Sequence, residues 1–130
     1  MTEVEFHAYI QKQIGKPFKW GDNDCNTFIL KMVDYFYGTD YAEDIVGQYD
    51  SKKSALRFAK RIGNLRDYLP LRRIPRNHAQ TGDLILVKDK VFDMAHVCMG
   101  SKMVSVDETM GVVQLPMVDG DIYRWRLWHQ

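Results

Sequence analysis

The chain has 130 residues and a net charge of +1, with 45% hydrophobic and 27% charged residues. This composition is typical of one globular domain and excludes a disordered, collagen-like or coiled-coil chain, so we expect a single domain over residues 1–130. The balanced charge argues against nucleic acid as a partner, and no apolar run approaches the ~20 residues of a transmembrane helix. The polar N-terminus has no apolar h-region, so we expect no signal peptide.

Two helices are predicted in the first part of the chain. A capping-box pair and a four-residue apolar repeat predict a helix over 3–14. A second apolar face begins at Cys25, after a polar turn that offers Asn23 or Asp24 as the N-cap, and it ends at Gly38. Cys25 therefore lies in or beside the first turn of this helix.

Shorter and less regular elements are expected next. A helical turn is predicted at 41–46, and a third helix begins after Asp50 or Ser51 and ends at Gly63. The stretch 64–82 has little periodicity, so we expect an irregular connection there.

The last part of the chain has the sequence pattern of antiparallel strands. Short apolar or alternating runs are separated by turn residues. The predicted strands are Leu84–Val87, Ala95–Met99, Met103–Val106, Val112–Leu115 and Tyr123–Trp128. Helices followed by antiparallel strands indicate an α+β fold. No phosphate-binding loop and no paired CxxC motif is present in the sequence.

A cysteine nucleophile and a histidine base are the chemistry that these residues allow. The N-terminus of a helix is positively polarised, which favours the thiolate form of Cys25. His7, His78 and His129 are expected at the surface or near the chain end. His96 lies in an apolar strand, where a ring without partners is costly, so it is either a satisfied core residue or the base for Cys25.

The hairpin after His96 supplies a third polar group. A turn centred on Gly100–Ser101 sets His96 opposite Ser105, whereas a turn centred on Ser101–Lys102 sets it opposite Asp107. Both side chains share one face of the sheet in either register, so either is able to orient the imidazole.

Cys98 lies two residues after His96 in the same predicted strand, so we expect both side chains on one face of the sheet. This placement allows two rival interpretations. One is a disulfide between Cys25 and Cys98. The other is a metal site formed by Cys25, His96 and Cys98, with Asp107 as a fourth ligand. The spacing H-x-C is not a recurrent zinc motif, so we expect Cys98 to be a small core residue and the protein to need neither a metal nor a cofactor.

Three segments resemble motifs of the NlpC-type cell-wall peptidases, a branch of the papain-like cysteine hydrolases. Pro17–Phe28 is similar to the family's nucleophile motif, Gly82–Leu84 to its G-D-L strand start and His96–Gly100 to its H-V-G-I base strand. The resemblance covers about 14–115. It implies a papain-like α+β fold in which N-terminal helices pack on a C-terminal antiparallel sheet.

The resemblance also implies a site and a substrate class. The substrate would be the stem peptide of peptidoglycan, and the backbone N–H of the nucleophile would receive the oxyanion. The implied site residues are Cys25 as nucleophile, His96 as base, Asp107 or Ser105 as the group that orients the base, and Phe18, Trp20 and Asp24 as contacts to the substrate.

The closing segment resembles small phage- and prophage-encoded proteins of the same superfamily. Gly111–Pro116 and Tyr123–Arg126 match the form G-L-x-x-V-P…A-W-R of that group. The resemblance implies a tail-tip or tail-assembly component with other phage tail proteins as partners. Its location would be the virion, or the host cytoplasm during assembly.

Departures from the family pattern support a second hypothesis. Phe18 stands where the family has tyrosine, Asn26 and Thr27 replace serine and glycine, and Cys98 replaces the glycine after His-Val. The alternative is a phage tail structural protein that keeps the fold without catalysis. A third hypothesis is a toxin or effector amidase that acts inside a cell.

Arginine and aromatic residues could form an interface in the structural alternative, because both types are enriched at protein interfaces. The arginines either lie in a solvated loop or contact an anionic partner. The residues are Arg72, Arg73 and Arg76, together with Tyr123, Trp125 and Trp128.

Overall fold

The computed structural model describes residues 2–88 and 93–125, apart from the side chain of Tyr68. The helices are α1 (Glu3–Gln13), α2 (Cys25–Tyr37), α3 (Tyr41–Ile45), α4 (Lys52–Ile62) and α5 (Leu65–Tyr68). The strands are β1 (Leu71–Ile74), β2 (Leu84–Lys88), β3 (Asp93–Cys98), β4 (Lys102–Asp107), β5 (Gly111–Pro116) and β6 (Asp121–Trp125). The α+β class expected from the sequence is confirmed.

The longer helices begin and end where local chemistry predicts. Thr2 caps α1 by accepting a hydrogen bond from the Glu5 N–H, at 3.1 Å. Asp24, rather than Asn23, caps α2, and Gly38 ends it in the left-handed region with φ +66°. Ser51, rather than Asp50, caps α4. These contacts are local, which is why sequence alone predicts them.

The prediction of an irregular connection over 64–82 is wrong. This stretch contains α5, β1 and a short 3₁₀ helix at Arg76–His78. Both α5 and β1 are four residues long, too short to produce a visible period. Strand β1 forms because it pairs with β6, with Leu71 opposite Trp125, and such a distant pairing leaves no local signal.

All strand pairs in the sheet are antiparallel, in the order β1-β6-β2-β3-β4-β5. Strands β2 and β3 lie in its middle, so β3, which carries His96, has neighbours on both sides. The strand predicted over Tyr123–Trp128 is confirmed as far as Trp125, and residues 126–128 lie outside the described residues.

The main hydrophobic core lies between the helices and one face of the sheet. It includes Phe6, Ile10, Phe28, Ile29 and Leu30 from the helices and Leu84, Leu86, Ala95, Val97, Val104, Val106 and Val112 from the strands. The other face carries a second cluster formed by Ile74, Ile85, Cys98, Met103 and Ile122. A third cluster joins Tyr49 to Ala55 and Phe58 of α4. No helix within the described ranges is both long and apolar enough to cross a membrane.

Candidate active site

The loop before α2 is folded by its own hydrogen bonds. The backbones of Lys19 and Asn23 pair in both directions, at 2.8 and 3.1 Å, and the Asn23 side chain donates to the Pro17 carbonyl oxygen at 2.8 Å. This closed loop ends at Asp24 and presents Cys25 as the first residue of α2.

Asp24 is a buried carboxylate, 2% exposed, whose oxygens are occupied by donors from the protein. Its Oδ1 accepts from the N–H groups of Asn26 and Thr27, at 3.0 and 2.9 Å. Its Oδ2 accepts from the Gly21 N–H at 2.9 Å and from the Tyr49 hydroxyl at 2.7 Å. Asp24 therefore caps α2 and also ties two loops together.

Cys25 is 6% exposed, and its environment favours the neutral thiol. The pKa of the thiol is raised to about 12, chiefly by burial and to a smaller extent by the negative charge of Asp24. The backbone N–H groups of Ala95, Cys25 and Asn26 act in the opposite direction and lower the pKa, but burial outweighs them. The N–H groups at the start of α2 thus favour the thiolate, but burial of the sulfur has the larger effect, so the resting thiol is neutral.

His96 is 8% exposed and has a defined hydrogen bond. Its Nδ1 lies 3.2 Å from the Ile85 carbonyl oxygen, so the tautomer that satisfies this contact carries its proton on Nδ1 and leaves a lone pair on Nε2. Burial lowers the pKa of the imidazole, while the carbonyls of Ile85 and Met94 raise it. The resting ring is thus a neutral base.

The register of the hairpin after His96 is resolved. Met99 N–H donates to the Lys102 carbonyl oxygen at 2.7 Å, so the turn is centred on Gly100–Ser101, and Val97 pairs with Val104. The resolved pairs, Val97 with Val104 and Cys98 with Met103, fit the first of the two registers predicted, and they stop one step short of His96 and Ser105.

Neither candidate for the third group is hydrogen-bonded to the imidazole. The Ser105 hydroxyl donates to the Ala95 carbonyl oxygen at 2.8 Å. The Asp107 carboxylate accepts from the N–H groups of Thr109 and Met110 in the next turn, at 2.8 and 2.9 Å. The group that orients His96 in this structure is the Ile85 carbonyl, which no side-chain motif indicates.

A groove with a volume of about 330 Å³ joins these groups. Its lining includes all seven site residues expected from the sequence: Phe18, Trp20, Asp24, Cys25, His96, Ser105 and Asp107. Phe18 and Trp20 make an edge-to-face ring contact with their centroids 4.8 Å apart. The groove also has a wall that the sequence did not indicate, formed by α4 through Lys52, Ala55, Phe58 and Ala59.

The cysteine arrangement differs from both rival interpretations. Cys25 and Cys98 are free thiols that belong to different hydrophobic clusters. Cys98 lies in the second cluster, where its thiol donates to the Gly100 carbonyl oxygen at 3.5 Å. Within residues 2–88 and 93–125, no three His, Cys, Asp or Glu side chains are arranged to hold a metal ion.

The G-D motif before β2 has a structural explanation. Asp83 is completely buried and forms a bidentate pair with Arg124 of β6, at 2.8 and 2.9 Å. The pair joins the start of β2 to the neighbouring strand, and thereby helps to hold the sheet that carries His96.

The residues proposed for an interface differ in their burial and in their partners. Trp125 is 4% exposed and contacts the rings of Tyr37 and Tyr41, so it belongs to the core. Arg73 forms an ion pair with Asp121. Trp128 and His129 lie outside the described residues, as does Arg126. Arg76, in the 3₁₀ helix that follows β1, pairs with Asp119.

The fold and the groove define an α+β domain with a buried cysteine and a neutral histidine along one cleft. The chain belongs to the family described as Domain of unknown function (DUF6950), whose family model matches residues 2–126. No curated protein matches the chain.

Proposed function

We propose that this protein is a cysteine hydrolase of the papain-like NlpC type that cleaves a peptide or amide bond. The observation that carries the proposal is that Cys25, at the first turn of α2, and His96, on β3, line the same groove. Two groups from distant parts of the chain thus line a single groove, as a nucleophile and its base must if they are to work together.

The first step joins the sulfur to the substrate carbonyl carbon. As Sγ of Cys25 attacks, Nε2 of His96 takes the thiol proton, and the π electrons of the carbonyl move onto its oxygen. The Cys25 N–H supports this step, because no oxygen within the described parts of the chain accepts a hydrogen bond from it, whereas the N–H groups of Asn26 and Thr27 are held by Asp24. It is therefore available to the oxyanion.

The second step releases the amine and then the acid. The tetrahedral intermediate collapses, the carbon–nitrogen bond breaks, and the protonated His96 gives its proton to the leaving amine. A water molecule then hydrolyses the thioester on Cys25, with His96 again as base. The Ile85 carbonyl supports this cycle because it holds Nδ1–H and stabilises the imidazolium that forms.

The substrate class that we propose is the stem peptide of peptidoglycan. Phe18, Trp20 and Phe58 provide apolar walls, and Lys52 and Glu108 bring opposite charges to the groove lining. Such a lining suits a peptide that has both apolar stretches and charged groups. On the same resemblance, we propose that the protein acts with other phage tail proteins, in the virion or in the host cytoplasm during assembly.

A second candidate is a structural tail protein that retains the fold without catalysis. The specific observation in its favour is the Cys25 thiol, which is 6% exposed and whose pKa burial raises to about 12. A nucleophile that reacts without help from substrate is usually a more exposed thiol with a lowered pKa.

Cleavage of purified peptidoglycan by parent, Cys25→Ala and Cys98→Ala proteins tests the proposal. We expect the parent and Cys98→Ala to release the same peptide fragments and Cys25→Ala to release none, with all three folded by circular dichroism. If Cys25→Ala cleaves as fast as the parent, the proposed mechanism is wrong. If the folded parent cleaves no cell wall at all, the structural candidate replaces the hydrolase.

A further inference from the structure

Tyr49 connects the α4 wall of the groove to the start of α2. Its side chain is 8% exposed, and its hydroxyl donates a 2.7 Å hydrogen bond to Oδ2 of Asp24. Its ring lies 5.4 Å from that of Phe58, centroid to centroid, within the cluster that also contains Ala55. One side chain therefore contacts both the helix cap beside the thiol and the helix that forms the facing wall.

The two loops that meet at this point are held tightly. The Gly47 N–H donates to the Gly21 carbonyl oxygen at 3.0 Å, and the Gly21 N–H donates to the same Asp24 oxygen that Tyr49 contacts. Gly21 has φ +79°, and a β-carbon at this position would collide with the carbonyl oxygen of Tyr49. The position of the Tyr49 backbone is thus set by the loop that leads to Cys25.

Helix α4 depends on this connection more than the other long helices do. Its buried side chains, Ala55 and Phe58, belong to the Tyr49 cluster, whereas Phe6 of α1 and Phe28 of α2 belong to the main core. The buried side chains of the α4 wall therefore pack in a small cluster that contains Tyr49, with Trp20, Ile45 and Ile62 against it.

We propose that Tyr49 is a positioning residue of the groove: its hydroxyl compensates the charge of Asp24 and couples the α4 wall to the first turn that carries Cys25. Its consequence for catalysis rests on the proposed hydrolase function, but its effect on the thiol does not. Asp24 lies next to Cys25, and its negative charge disfavours the thiolate. Loss of the Tyr49 hydroxyl takes a hydrogen-bond donor away from the buried Asp24 carboxylate. The negative charge beside Cys25 is then less well compensated, and Asp24 is held less firmly as the N-cap of α2.

The other charged and titratable groups of the groove remain in place when only the Tyr49 hydroxyl is removed. The groups that line it from the surrounding elements are Asp24 at the α2 cap, His96 on β3, Asp107 and Glu108 at the end of β4, and Lys52 on α4. A change in the reactivity of Cys25 on loss of the hydroxyl is assigned to Asp24 when it disappears in an Asp24→Asn background.

The test is the rate at which iodoacetamide labels Cys25, followed by peptide mass spectrometry between about pH 6.5 and 9.5, where thiolate fractions govern thiol reactivity. Tyr49→Phe should label more slowly than the parent at every pH, by roughly threefold or more. Tyr35→Phe is the matched control, because Tyr35 is 67% exposed on α2, and it should label like the parent.

A double-mutant comparison separates positioning from a purely structural role. With Asp24→Asn as background, the carboxylate charge is absent, so adding Tyr49→Phe should no longer slow the labelling. Equal labelling of Tyr49→Phe and parent, faster labelling of Tyr49→Phe, or an undiminished effect in the Asp24→Asn background would each overturn the proposal. Because labelling needs no turnover, this result stands whether or not the protein cleaves peptidoglycan.

Discussion

The hydroxyl of Ser105 donates a 2.8 Å hydrogen bond to the carbonyl oxygen of Ala95, the residue immediately before His96. The pairing between β3 and β4 includes Val97 with Val104, and beyond that pair the Ser105 side chain contacts the neighbouring strand. The N–H of the same Ala95 favours the Cys25 thiolate, as a donor near the sulfur does. The segment of β3 that carries His96 is therefore held by a serine on one side and lies against the cysteine.

Ser105→Ala should destabilise the protein by about 1–3 kcal/mol, because it leaves the buried Ala95 carbonyl without this donor. Urea denaturation measures the loss, with the exposed Ser101→Ala in the hairpin turn as the control. A variant that keeps its stability but loses hydrolysis would instead support the role first expected for Ser105, that of orienting the imidazole.

Asp24→Ala should destabilise the fold by about 2 kcal/mol or more, because a buried cap is lost and the donors from Gly21, Asn26 and Thr27 lose their acceptor. The comparison is Asp40→Ala at the N-cap of α3, where the side chain makes no cap hydrogen bond. Thermal unfolding of both variants gives the difference. Equal losses would show that the hydrogen bonds of Asp24 contribute nothing to stability.

His96 should make stability fall as the pH is lowered. Burial lowers the pKa of His96 in the folded protein, whereas the unfolded chain titrates near the ordinary value of about 6.5. The unfolded state therefore binds the proton first, and stability present above about pH 6.5 is lost below it, by up to ~1.4 kcal/mol per pH unit.

Urea denaturation between about pH 5 and 8 measures this contribution. His96→Gln should flatten the decline below pH ~6.5, since glutamine does not titrate. His78→Gln, at an exposed position, keeps His96 and should keep the decline. Parallel pH profiles for the parent and His96→Gln would contradict the prediction.

Arg124→Ala should cost about 3–5 kcal/mol, because it leaves the fully buried Asp83 without its bidentate partner. Arg73→Ala removes an ion pair with Asp121 in which the arginine side chain is 67% exposed, and it should cost less than about 1 kcal/mol. Chemical denaturation of the two variants compares a buried pair with an exposed one in the same sheet. Similar losses of stability in the two variants would mean that the burial of Asp83 does not determine how much stability is lost.

Local chemistry made much of the site predictable. The caps of α1, α2 and α4 are contacts within a few residues, so the sequence indicates where these helices begin and that Cys25 lies in a first turn. The turn at Gly100–Ser101 was one of two registers that the sequence allowed, and the structure selects it through the pairing of Val97 with Val104.

Other features could not be predicted from sequence patterns because they depend on contacts between residues that are distant along the chain. Strand β1 exists through its pairing with β6, and the hydrogen bond of Tyr49 to Asp24 joins two separate loops. The protonation state of Cys25 depends on such distant partners as well. A helix N-terminus is visible in the sequence, whereas the burial that raises the pKa of this thiol comes from the packed sheet.

The sequence by itself determined the α+β class, the starts of α1, α2 and α4 and the choice of Cys25 and His96 as candidate site residues, since these follow from spacing and from hydrogen bonds between near neighbours. Only the tertiary structure decided that α4 forms a wall of the groove, that the Ile85 carbonyl holds His96 and that Cys25 rests as a neutral thiol. Burial and long-range hydrogen bonds are properties of the packed chain, and no short window of residues contains them.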